Sequence, residues 1–162
     1  MLTQAILDDL TYSLQIYDKV SEEWEKKIVW CSTLNELKQS RQPYMNSKDW
    51  VVVLDDEELR REIFRYYLRS TDKITLLESQ QNRKYTLERT YNDLLIQIRT
   101  QDPSTTQQSA QDQALQVMAN ESTEYNGIVA AMPDNVARLV ALKATAQTLI
   151  NRLQAQKPKR AR

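Results

Sequence analysis

LQVMANESTEYNGIVAAMPDNVARLVALKATAQTLINRL, residues 115–153, carries a side chain that can pack at alternating steps of three and four. The series is Leu115, Met118, Ser122, Tyr125, Val129, Met132, Val136, Leu139, Lys143, Ala146, Ile150, Leu153. A repeat averaging 3.5 residues keeps one seam turned toward a partner helix, so it signals bundle or coiled-coil packing. The amino-terminal stretch repeats the pattern with Leu7, Leu10, Leu14, Tyr17, Ser21, Trp24, Ile28 and Cys31. A third series, Leu59, Ile63, Tyr66, Ser70, Lys73, Leu77, lies between them. The expected fold is therefore all-α: an elongated, coiled-coil-like bundle of three long helices.

Composition narrows the chemistry. The 162 residues include one glycine, one cysteine and no histidine, and 22 basic residues balance 22 acidic ones. A glycine-rich phosphate loop cannot be built from one glycine, and no nucleophile can be paired with a histidine base. The chain is read as non-enzymatic, with no cofactor and no metal site. Zero net charge gives no chain-wide polyanion footprint. Cys31 has no internal partner for a disulfide, which fits a reducing compartment. The opening MLTQAILDDL lacks a basic leader, and the longest apolar runs, Trp50 to Leu54 and Ile128 to Met132, are far below the ~20 residues a spanning helix needs. A soluble, intracellular protein with no membrane span is the expectation.

Residues 1–100 read as a long antiparallel helical hairpin. Its first helix should run from about Leu2 to Arg41, supported by the i, i+4 pairs Glu22 with Lys26 and Glu23 with Lys27. It should stop in the turn-forming run around Pro43. The second should begin behind Asp55 as its cap, in the acidic cluster Asp55 to Glu58, and run to about Thr100. Residues 101–109, QDPSTTQQS, have the composition of a flexible linker. Residues 110–156 form a C-terminal helix or helical hairpin, kinked or broken near Gly127–Asp134. There Asn126 and Gly127 resemble a C-cap, and Pro133 with Asp134 the approach to a new helix. Residues 157–162 are a basic tail.

Two functional surfaces emerge. The first is a partner-binding seam of Leu7, Leu10, Leu14, Tyr17, Trp24, Ile28, Leu115, Met118, Tyr125, Val129, Leu139, Ile150 and Leu153. It would receive helices of other proteins or of further copies, as in a scaffold or adaptor subunit of an assembly. Polar seam members such as Ser122 and Lys143 would fix register. The second is a polyanion contact made by Arg61, Arg65, Arg69 and Lys73, with Phe64, Tyr66 and Tyr67 interleaved, together with Lys157, Lys159, Arg160 and Arg162. It supports the alternative of a nucleic-acid-associated protein. The KRAR ending also fits a minimal nuclear-import pattern. An escort chaperone for a helical partner is a third reading. The strand-prone Trp50 to Leu54 would serve as a buried connector or as a docking segment.

Overall fold

The computed structural model describes residues 2–47 and 54–156. These form seven α-helices and no strand: α1 (Leu2–Glu25), α2 (Cys31–Gln39), α3 (Gln42–Ser47), α4 (Glu57–Gln101), α5 (Gln107–Val117), α6 (Ala119–Val140) and α7 (Leu142–Ala155). The all-α expectation holds. The single helix expected over Leu2–Arg41 does not, because α1 ends at Glu25. Lys27 takes a left-handed conformation at φ 58°, Ile28 N–H bonds back to the Glu23 carbonyl (3.3 Å), and Lys27 N–H to that of Trp24 (2.8 Å). These two bonds are a Schellman helix end, here with lysine where glycine is usual. The expected Glu23–Lys27 pair is replaced by a different use of Glu23. Its carboxylate accepts from Trp30 N–H (3.0 Å) and from the Thr33 hydroxyl, satisfying the start of α2.

Pro43 also works opposite to expectation. It stands in the first turn of α3, where its missing N–H costs nothing, so it opens a helix instead of closing one. At α4 the cap is Asp56, not Asp55: its Oδ1 accepts from Leu59 N–H at 2.9 Å. The interhelical segment is shorter than 101–109, since α5 begins at Gln107 with Thr106 as cap (3.2 Å to Ser109 N–H). Gly127 is no C-cap, because it lies inside α6 without a positive φ. Helix continues through Pro133. The interruptions fall at the single residues Met118 and Ala141, where bonds from Met118, Ser122 and Ala141 N–H keep the ladder running.

The described residues divide into two compact units. Unit 1 comprises residues up to Glu78 and from Asn135 onward; unit 2 is Ser79–Asp134. Both crossings fall inside helices, in α4 and α6. Unit 1 has a continuous apolar core drawn from α1, α2, α3, α4, the end of α6 and α7, with Leu10, Leu34, Leu59, Ile63 and Leu139 fully buried. Ion pairs of Lys143 with Asp18 and of Arg152 with Asp56 (3.0 Å) and Glu62 hold α7 to α1 and α4. Unit 2 is an antiparallel hairpin. Bonds pair Arg83 with Glu124 (2.7 Å) and Arg99 with Gln107 (3.1 Å), so the sequence numbers run in opposite directions along its two arms, and the long Tyr125 side chain reaches along the seam to Glu88 (2.9 Å).

Candidate interaction surface

Unit 2 turns the seam reading into a surface with geometry. Met118 and Met132 are buried, and Tyr125, seven residues from each, is half-buried with its hydroxyl on Glu88. A second stripe lies beside this one, also at heptad spacing: Leu115, Ser122, Val129. Leu115 is 48% exposed and Val129 42% exposed. A two-helix hairpin can bury only one stripe per arm; the next one needs another helix. Between the arms lies an open groove of about 330 Å³, lined by Leu87, Tyr91, Leu115, Met118 and Tyr125, with Glu88 and Glu121 among its polar members. Sequence reading missed the α4 side of this groove, because the heptad series followed on that helix stops at Leu77, short of the lining residues Leu87 and Tyr91. Leu87 and Tyr91 at i, i+4 were the available signal.

Most of the remaining seam residues are used inside the chain itself. Leu10, Tyr17, Leu139, Ile150 and Leu153 are buried in the unit 1 core, and Leu7, Leu14 and Trp24 pack against it. Ile28 is exposed in the turn after α1. The buried face of α1 is rotated from the expected one: Ile6, Leu10, Tyr17 and Val20 form it, with Asp9 and Ser13 among them. Polar residues at core spacing mark a buried polar nest. The Tyr67 hydroxyl donates to Asp9 Oδ2, Arg41 donates to the Tyr67 carbonyl, and the Tyr44 ring stacks on Tyr67 at 3.8 Å. Tyr17 and Tyr66 share a hydroxyl–hydroxyl bond of 2.8 Å. Burial pushes the Asp9 carboxyl up to about 6, against the opposing pull of the Tyr67, Ser40 and Ser13 hydroxyls and of Arg41. Asp9 Oδ1 and Arg41 Nε have no hydrogen-bond partner among the described residues.

The basic stripe is divided. Arg61 pairs with Glu57, whereas Arg65, Arg69 and Lys73 have no ion-pair partner within 4.0 Å among the described residues. Tyr66 and Tyr67, expected beside the stripe as stacking platforms, are buried in the core; Phe64 alone of the three is exposed. Lys157, Lys159, Arg160 and Arg162, and Trp50 to Val53 of the strand-prone segment, lie outside the described residues. No described helix is long and apolar enough to cross a membrane. The chain matches no protein-family model, no curated protein and no solved structure.

Proposed function

We propose that this protein is a non-enzymatic helical subunit of a larger assembly, and that its Ser79–Asp134 hairpin receives a helix from another polypeptide. The observation that carries this reading is the uncovered heptad stripe Leu115, Ser122, Val129 beside the apolar groove of unit 2. Docked helices insert side chains at i, i+3, i+4 and i+7 into such grooves, and affinity comes from removing apolar surface from water. Unit 1 supplies a folded body with a closed core, and unit 2 supplies the contact. Phe64 and Leu68 are also exposed one turn apart on α4 of unit 1.

The test is crosslinking and mass spectrometry of the assembly isolated from its native cell. Lys84 is the sole lysine of Ser79–Asp134, so crosslinks from it to a helical segment of another polypeptide are expected. Crosslinks confined to unit 1 would overturn the assignment of the contact. A polyanion reading is favoured by one observation, the absence of ion-pair partners for Arg65, Arg69 and Lys73 among the described residues. It predicts binding to nucleic acid that falls steeply with salt; helix docking predicts weak salt dependence.

A further inference from the structure

The two arms of unit 2 carry opposite charge. Residues 79–101 hold four basic residues, Arg83, Lys84, Arg89 and Arg99, against the acids Glu88 and Asp93. Residues 102–134 hold five acids, Asp102, Asp112, Glu121, Glu124 and Asp134, and no basic residue. Within one hairpin this asymmetry is only partly used, by the Arg83–Glu124 ion pair.

We infer that the occupant of the unit 2 groove is the same hairpin of a second copy of this chain, forming a two-fold antiparallel four-helix bundle. This rests on the helix-docking reading above and adds the identity of the partner. Hairpins can stack face to face in two ways. One sets each arm over its own counterpart, placing five acids against five. The other, with the two-fold axis along the helices, sets the basic arm of each copy over the acidic arm of its partner. Charge then alternates around the bundle, and like charges meet only across its diagonal. Like-charge juxtaposition across an interface is strongly unfavourable, so the second arrangement is selected. It is isologous and closes as a dimer, with Leu115 covered by the partner's basic arm near Tyr91 and Val129 at the Ser79 end of that arm. The intrachain bonds set the levels along the bundle: because Arg83 stands beside Glu124, a two-fold along the helices places Lys84 beside the partner's acids at 121–124.

The experiment uses the full chain. Sedimentation equilibrium should give twice the 19.0 kDa chain mass. The double variant Leu115→Asp, Val129→Asp should dissociate the dimer, raising Kd about tenfold or more, with helicity unchanged because both sites are exposed in the single chain. Zero-length crosslinking of mixed heavy- and light-isotope chains should join Lys84 of one copy to Glu121 or Glu124 of the other. A chain that stays monomeric at high micromolar concentration overturns the inference. So does a dimer indifferent to the double variant, or one whose intercopy crosslinks join basic arm to basic arm. A monomer whose Lys84 crosslinks to a different polypeptide in the native assembly overturns only the second copy and leaves helix docking standing. A monomer with no crosslink to residues 79–134 overturns both.

Discussion

Unit 1 and unit 2 use the same helical repeat to different ends. In unit 1 α1 faces α2, α3 and α7, and large side chains such as Tyr17, Ile63 and Leu139 lose all contact with water. In unit 2 each arm has one neighbour. Its buried large apolar side chains are Leu87, Met118 and Met132, while Tyr85, Ile96, Leu115, Val117 and Val129 stay exposed. A heptad pattern therefore reports that a helix packs, and the number of neighbours decides whether the packing is internal or left for a partner.

That contrast is most exposed to failure at the cores. Leu139→Ala should destabilise unit 1 by about 2 to 5 kcal/mol, as truncation of a fully buried leucine does, whereas Leu115→Ala in the dissociated chain should stay within about 0.5 kcal/mol. Denaturant unfolding of both variants checks this, and equal losses would erase the distinction between the units.

The polar nest gives unit 1 a pH response. The Asp9 carboxyl is raised in the folded chain from 3.8 to about 6, so folding takes up a proton between those values. Its contribution is fully present below pH 3.8, declines as pH rises through 6, and amounts to up to roughly 3 kcal/mol. Asp9→Asn should flatten the stability profile across that window. A slope unchanged by the substitution would assign the response to other carboxyls. Tyr67→Phe, which strips the hydroxyl bond from Asp9 and leaves a second unpartnered oxygen, should cost about 1 to 3 kcal/mol in thermal or denaturant unfolding. The one expected gain in stability belongs to unit 2. Gly127 sits in a helix with no positive φ and with open space where an alanine methyl group would stand, so Gly127→Ala should stabilise by about 0.5 to 1 kcal/mol. A destabilised variant would mean that this face of α6 is covered by a neighbour.

How much of this could be read beforehand depends on the kind of signal. Long helices were legible because period and length speak together, and α4 begins and ends within two residues of the acidic cluster and Thr100 that mark it. The end of α1 was not legible, because Lys27 occupies the left-handed position without the glycine that announces it. Glu23 also looks like half of an intrahelical pair until its bonds to Trp30 and Thr33 are seen. The groove was half legible: the seam from Leu115 to Met132 was read as one line, whereas three dimensions divide it into Met118, Tyr125, Met132 inside and Leu115, Ser122, Val129 outside. Asp9, Arg41 and Tyr67 come together from positions far apart in sequence, and only Asp9 and Ser13 at core spacing hinted at them.

The boundary between the units lies within continuous helix at both crossings, Glu78 to Ser79 in α4 and Asp134 to Asn135 in α6. Proteases need several residues of extended chain, and neither crossing offers any without unwinding helical turns on both sides. Limited digestion should therefore not excise the hairpin as a stable fragment. Among the described residues, trypsin should cut first at Lys26 and Lys27, in the exposed turn between α1 and α2, and spare the basic residues Arg83 and Lys84 just beyond the first crossing. Gene truncation at these boundaries would cut two helices in mid-course, so a fragment meant to carry the hairpin has to include helix on the far side of both crossings.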